Sequence, residues 1–232
     1  MLALMPLGVL SVVQTRDALS QVDSTTLAGV GGAALQAVRS QIDLIKEAQI
    51  SARVLASVLS NVRSPGPDCV DRVTAIARGI PQAVLVAYIP LSGLMTCSSN
   101  GRVFDFKDEP RFRTLIEKPL PRVVYNPHGP VSGTAVIGIS HPVFDRTGIQ
   151  AGIVAISLSY TAVAPGNYSD SLALWRPAYL ATVLSDGTLL LSSDPDTPPA
   201  EVIPASVDLK DLIRIADRPA YVDDATGRHI LS

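Results

Sequence analysis

Residues 83–100, AVLVAYIPLSGLMTCSSN, and residues 177–194, PAYLATVLSDGTLLLSSD, present one arrangement twice. Each is an apolar run, a turn at Gly93 or Gly187, and a second apolar run closing on a Ser pair, Ser98-Ser99 or Ser192-Ser193. Strand, glycine turn, strand is the signal of a β-hairpin. Four of the eighteen aligned positions are identical: Ala87/Ala181, Gly93/Gly187 and the two Ser. An echo 94 residues apart (187 minus 93) implies two related modules in series rather than one large domain. In this alignment Cys97 and Leu191 share an inward position.

The 232 residues leave room for two such modules. With 47% hydrophobic and 17% charged residues the chain builds a core rather than staying disordered. Net charge is −2 and the Lys and Arg are scattered without a basic stripe, which argues against a nucleic-acid partner.

The first 13 residues, MLALMPLGVLSVV, carry no charge. They are shorter than the ~20 residues a spanning helix needs, and no basic segment precedes them as in a signal peptide. Residues 1–15 therefore read as the outer end of a transmembrane helix, with a short buried helix as the other reading. Residues 16–62 hold no Pro and read as one long helix, or two end to end, with Ile42, Ile45, Ala48, Ile50, Val54, Leu55 and Val58 in one broad apolar stripe. Gly29, Gly31 and Gly32 mark a weak point. Ser64-Pro65-Gly66-Pro67 ends this helix, and Asp68 is expected to N-cap a second one carrying Cys69, Val70, Val73, Ile76 and Ala77. The first hairpin follows, then a short helix opened by Asp108-Glu109-Pro110, then strands at 122–125, 133–144 and 150–159. The expected fold is α+β: a long helix followed by a five-stranded antiparallel sheet module over 63–163 and a second module over 164–232. That second module begins with a helix near 168–175 and the second hairpin, and continues with a loop and helix over 198–222. GRHILS at 227–232 reads as a strand just beginning, as in a chain that continues further.

This order of elements resembles the extracytoplasmic Cache domains, PAS-like sensor modules of bacterial membrane receptors. The residues that carry the likeness are a Gly-x₃-Cys-Ser-Ser hairpin at Gly93–Ser99, the Asp108-x-Pro110-x-Phe112 helix start, and Val143-Phe144-Asp145-x-x-Gly148-x-x-Ala151-Gly152-Ile153-Val154. The second half resembles the start of a membrane-proximal copy, as in double Cache sensors, and residues 5–15 are similar to the first transmembrane segment of sensor histidine kinases. The resemblance implies a two-component sensor histidine kinase in the bacterial inner membrane, with this chain in the periplasm as a ligand-sensing, non-enzymatic part. It implies a homodimer through the N-terminal helix. A chemoreceptor or a diguanylate cyclase carrying the same module, or a ligand-free structural and dimerisation domain, are the alternatives.

Cys69 and Cys97 are either two buried thiols or a pair. An extracytoplasmic location permits oxidation, and the resembling domains often join a helix Cys to a strand Cys, so a Cys69–Cys97 disulfide is expected. Two Cys without nearby His spacing do not make a metal site. No cofactor is implied: Gly29-Val30-Gly31-Gly32 lies in a helical pattern with no Lys-Ser/Thr after it. His128, His141 and His229 are isolated, and Ser140-His141 are strand neighbours pointing to opposite faces, so no nucleophile–base pair forms. Asp68 with Asp71, and Asp105 with Asp108, read as a cap, a solvated face and a loop rather than catalytic carboxylates.

In the resembling domains a small ligand lies between the sheet and the segment after the second strand, here residues 105–125. Arg111 and Arg113 are a guanidinium clamp for a carboxylate or phosphate, although two residues apart on a helix only one of them faces a pocket; Arg111 is preferred. Tyr125, Ser140 and His141 come from bordering strands. Asp145 closes the next hairpin, where an ordinary turn role competes with ligand contact. Many such domains hold amino acids with a Tyr, Arg and Trp set, and the only Trp here is Trp175, outside that segment.

Overall fold

A single helix, α1 (Met5–Leu59), runs unbroken through Gly29, Gly31 and Gly32, the expected weak point. The computed structural model describes residues 5–60, 66–163, 181–183, 189–192, 220–224 and 227–231. Two units emerge, Ser40–Gly166 with Leu189–Ser193, and Met1–Arg39 with Asn167–Thr188 and Asp194–Ser232.

Within the first unit, α1 buries Ile45, Ala48, Ala52, Leu55, Ala56 and Leu59. Their spacing of three and four residues is one face of a helix. Burying Leu55 and Leu59 fully contributes about 1.5–3 kcal/mol each. The broad stripe expected from sequence is in fact two faces: Ile50, Val54 and Val58 are 54%, 49% and 40% exposed and lie on the opposite side.

Helix α2 (Pro67–Gly79) corrects one expectation. Its N-cap is Gly66, with Pro67 in the first position and Asp68 in the first turn. Proline supplies a helical φ and gives up an N–H that would be orphaned there, while the Asp68 carboxylate faces the positive end of the helix dipole. The chain then forms β1 (Ala83–Pro90), β2 (Leu94–Met95), β3 (Cys97–Ser98), β4 (Phe104–Asp105), α3 (Pro110–Glu117), β5 (Arg122–Asn126), β6 (Val136–Phe144), β7 (Gln150–Ser159) and the short α4 (Tyr160–Val163). The five-stranded sheet is antiparallel in the order β3-β1-β7-β6-β5. The return strand of the first hairpin is split: β3 pairs with β1, while β2 turns away to pair with β4. At the turn, Gly93 has φ +85, and a Cβ there would meet the Lys107 backbone nitrogen at 2.8 Å. No L side chain takes that conformation without strain.

Period-2 alternation across the register assigns the two faces. Val86 and Tyr88 of β1, Cys97 of β3, Val154 and Ile156 of β7, Ile139 and His141 of β6, and Val123 and Tyr125 of β5 share one face. Helix α2 packs on that face, tied to it by the Cys69–Cys97 disulfide, whose Cα atoms are 5.9 Å apart. Gln49 and Ala52 of α1 sit across a narrow cleft from Ile139 and His141, which places this turn of α1 over β6. The opposite face carries Leu85, Ala87, Ile89 and Ile153, packed with Met95, Phe112 and Val131.

Beyond the sheet, β8 (Ala181–Val183) and β9 (Leu189–Ser192) are the two strands expected of the second hairpin. The turn at Gly187 and the helix near 168–175 lie outside the described residues, as does the side chain of Leu191. Leu190 is buried, and β9 lies beside β5. Residues 220–222, expected in a loop and helix, belong instead to β10 (Ala220–Asp224), which pairs with β11 (Gly227–Leu231). Tyr221 and Val222 between two turn-rich stretches satisfy strand propensity better than a helix.

Candidate functional site

The face of the sheet turned toward α3 has two halves. Over β1 and β7 it is filled: Phe112 of α3 is buried there, and Phe104, Phe106, Leu115 and Ile116 pack around it. Phe106 bridges Phe104 and Phe112 with ring centroids 4.7 and 6.1 Å away. Toward β6 the side chains on this face are small, while β5 presents Arg122 and Val124. Ser140 stands opposite Ala155, and Gly138 opposite Ser157; all four are half-buried. Val124, opposite Gly138, is exposed. A Cβ at Gly138 would meet nothing nearer than the Val124 side chain at 3.5 Å. The small, half-buried Gly138, Ser140 and Ser157 stand beside the aromatic core and near the start of α3, and concave sites of mixed polarity are where ligands are held.

Arg111, in the first turn of α3, is exposed and its Nη1 donates a long bond of 3.4 Å to the Tyr125 carbonyl oxygen. This bond ties the start of α3 to β5 and leaves most of the guanidinium donors free for a ligand. Arg113 points elsewhere: its Nε donates to the Lys107 carbonyl at 3.5 Å and its Nη2 lies 3.6 Å from Asp108 Oδ1. The divergence of residues two apart on a helix therefore separates the pair, as the sequence required.

The other candidates are dispersed. The Tyr125 side chain belongs to the opposite face, where its ring lies 4.9 Å from that of Tyr160. Burial, then the neighbouring Tyr160, pushes its phenol above the ordinary range. His141 is on that same face, with Nδ1 3.0 Å from the Pro142 carbonyl oxygen. Ser140 alone among the strand candidates shares the α3 face. Asp145 Oδ1 accepts from the Thr147 hydroxyl at 2.6 Å, the Thr147 N–H at 2.8 Å and the Ile149 N–H at 3.0 Å, which is a turn-closing role. The Thr147 hydroxyl foremost, and then the Ile149 N–H, hold its carboxyl below the usual carboxylate range. Sequence reasoning passed over Arg122, which the register pairs with Ser140 and whose Nε is buried without a hydrogen-bond partner. Its signal was the alternation itself: if Val123 faces the helices, Arg122 does not. Among the described residues no cluster of His, Cys, Asp and Glu could hold a metal ion.

This arrangement has solved counterparts. The extracellular domain of the proposed histidine kinase rpHK1S-Z16 superimposes with a TM-score of 0.59 at 17% identity, over 88% of this chain and 83% of that one. The ligand-binding domain of the Pseudomonas aeruginosa PAO1 amino acid chemoreceptor PctC, in complex with GABA, gives 0.60 at 16% identity, over 78% and 84%. That of the Campylobacter jejuni chemoreceptor Tlp3, in complex with L-valine, gives 0.58 at 12% identity, over 91% and 88%. No protein-family model and no curated protein matches the chain. The fold is that of the extracellular sensor domains of histidine kinases and chemoreceptors. In this chain that fold comprises a long N-terminal helix, a helix stapled to the sheet by the disulfide, and a five-stranded antiparallel sheet with a short helix on its other face.

Proposed function

We propose that this chain is the extracytoplasmic ligand-sensing part of a transmembrane signalling receptor, and that it is not itself an enzyme. The observation that carries the reading is the exposed Arg111 guanidinium at the start of α3, tied to β5 by one long bond, with the small Gly138, Ser140 and Ser157 on the sheet face that α3 covers. Arg111 would hold a small carboxylate through two parallel hydrogen bonds. The six residues first considered do not converge as a set, so Arg111 and Ser140 are the ones we retain as ligand contacts. Organic acids fit better than amino acids, because Asp145 is engaged in its own turn and no other carboxylate stands on this part of the sheet among the described residues.

A sensor histidine kinase of the inner membrane is the parent we favour, with a chemoreceptor or diguanylate cyclase as the same module on another output. In this reading residues 63–163 are the membrane-distal module, 164–232 the membrane-proximal one, and residues 1–15 the end of a transmembrane helix. Among the described residues no helix is long and apolar enough to cross a membrane. The disulfide supports a periplasmic location. The exposed Ile50, Val54 and Val58, spaced by four on α1, support a parallel homodimer through that helix. The test is a thermal-shift screen of the chain against small mono- and dicarboxylates, amino acids and inorganic phosphate, in wild type and Arg111→Ala. A shift with a carboxylate that Arg111→Ala loses is expected; no shift with any compound in either protein would defeat the proposal.

A further inference from the structure

The connection between β5 and β6, residues 127–134, folds back over the α3 face as a strap. Most of it is exposed, and only Gly129 and Val131 are buried. The Val131 side chain packs into the cluster that holds Phe112, Met95 and Leu85. Gly129 lies so close to Val136 that a Cβ there would come within 3.1 Å of the Val136 Cγ2. By alternation Val136 shares the face of Gly138 and Ser140, so the strap rests on one end of that face. Along β6 the order is then Val136 beneath the strap, Gly138 opposite Ser157, and Ser140 opposite Ala155, which packs against the Phe112 cluster. Gly138 and Ser157 thus lie between the part of the sheet under the strap and the part under α3.

Few bonds hold the strap down. Its backbone closes on itself: the Gly129 N–H donates to the Thr134 carbonyl and the Gly133 N–H to the Gly129 carbonyl. Among the described residues one hydrogen bond joins it to a distant part of the chain, from Arg102 Nη1 to the Val131 carbonyl oxygen. Arg102 is exposed, in the loop after β3, where Ser98 Oγ donates to its carbonyl at 2.7 Å. A segment tied to the body by one apolar side chain and one hydrogen bond opens far more readily than the strands around it. Gly133, at φ +72, is a joint near its far end that no side chain strains.

We propose that this strap is the gate of the ligand site and that Arg102 is its latch. The proposal rests on the reading of the α3 face as the ligand-binding one. Released from Arg102, the strap lifts Val131 out of the cluster and uncovers Gly138 and Ser157; latched, it restricts access to them. Closing segments of this kind set how fast a small molecule enters and leaves. Arg102 is therefore a positioning residue that acts through Val131, distinct from the ligand contact Arg111.

The test is thiol labelling of the whole chain. Cys69 and Cys97 are the only cysteines and are bonded to each other, so Ser157→Cys introduces the one free thiol, on the face away from the disulfide. The probe is methyl methanethiosulfonate, which is small and uncharged, so the loss of a nearby cation does not alter its approach. Labelling of Ser157→Cys should be slow against free cysteine and about tenfold faster once Arg102→Gln is added, the factor for losing one hydrogen bond to a charged group. Val131→Ala, added instead, should act in the same direction. In Arg102→Gln, hydrogen exchange should quicken at Gly129 and Gly133 and stay unchanged in β6 and β7, which a general loosening would not give. Arg102 is exposed, so its variant folds. Labelling as fast as free cysteine without either added substitution, labelling unmoved by both, or exchange that rises equally in strap and strands overturns the proposal. Carboxylate binding with labelling unmoved would defeat the latch alone; a working latch in a chain that binds no carboxylate would defeat the proposed function alone.

Discussion

Replacing Cys69 and Cys97 by Ala removes the one covalent tie between α2 and the sheet. The two residues are 28 apart in sequence, and both are fully buried. In the chain-entropy model a loop of about that length takes ~12 cal/mol/K from the unfolded ensemble, or ~3.6 kcal/mol at 25 °C. The unit Ser40–Gly166 has about 130 residues, and at ~2.1 cal/mol/K per residue its unfolding entropy near Tm is ~0.27 kcal/mol/K. The ratio is a fall in Tm of roughly 10–15 °C. Differential scanning calorimetry of wild type, both single variants and the double variant measures it. Either single substitution already opens the bridge, so each should cost nearly as much as the pair. A fall below about 3 °C, or single effects that add up to the double, would refute the loop-closure reasoning.

Three other outcomes follow from the same geometry. Gly93→Ala places a Cβ at positive φ and 2.8 Å from the Lys107 backbone nitrogen, and should cost about 1–3 kcal/mol in urea unfolding; a neutral result would mean the β2–β4 turn relaxes freely. Asp145 has its folded pKa lowered, so its contribution to the β6–β7 turn is fully present above the unfolded carboxylate value and is lost as pH falls through the lower folded one. The amide resonances of Thr147 and Ile149 should titrate below the ordinary Asp midpoint, and Asp145→Asn should abolish that titration. Val54→Glu, at the centre of the exposed Ile50–Val58 stripe, should shift the chain to monomer in sedimentation if α1 pairs with a second copy, while leaving the fold intact.

Local rules carried the fold well where the partners are near in sequence. Residues 154–159 alternate between buried and half-buried, and the expected strand 150–159 is β7 to the residue. The expected strand from Gly133 begins at Val136 instead, because Gly129 and Gly133 close a turn of their own, with the Gly133 N–H bonded to the Gly129 carbonyl at 2.8 Å. The split of the first hairpin was illegible, since β2 finds its partner in β4, beyond β3 and the loop 99–103 that no periodicity specifies. On α1 the composition showed an apolar stripe, but only tertiary packing separates the buried Ala52 and Leu55 from the exposed Val54. At the site, helix geometry parted Arg111 from Arg113 in advance, and strand alternation parted Ser140 from His141. It could not say that the Tyr125 ring would seek Tyr160, which needs the position of α4. Arg122 was hidden for another reason: an unsatisfied N–H is a property of the packed neighbourhood, not of the residue.

The central claim is that a small carboxylate binds against the α3 face. Isothermal titration with the best carboxylate from the screen, paired with hydrogen exchange over residues 105–130, tests it most directly. The account predicts saturable binding to wild type, slowed exchange in that segment on binding, and an affinity at least tenfold weaker in Arg111→Ala, the loss of about 1.4 kcal/mol or more that a charge-assisted pair supplies. Equal affinity in wild type and Arg111→Ala, with exchange over 105–130 unchanged by the ligand, would contradict it.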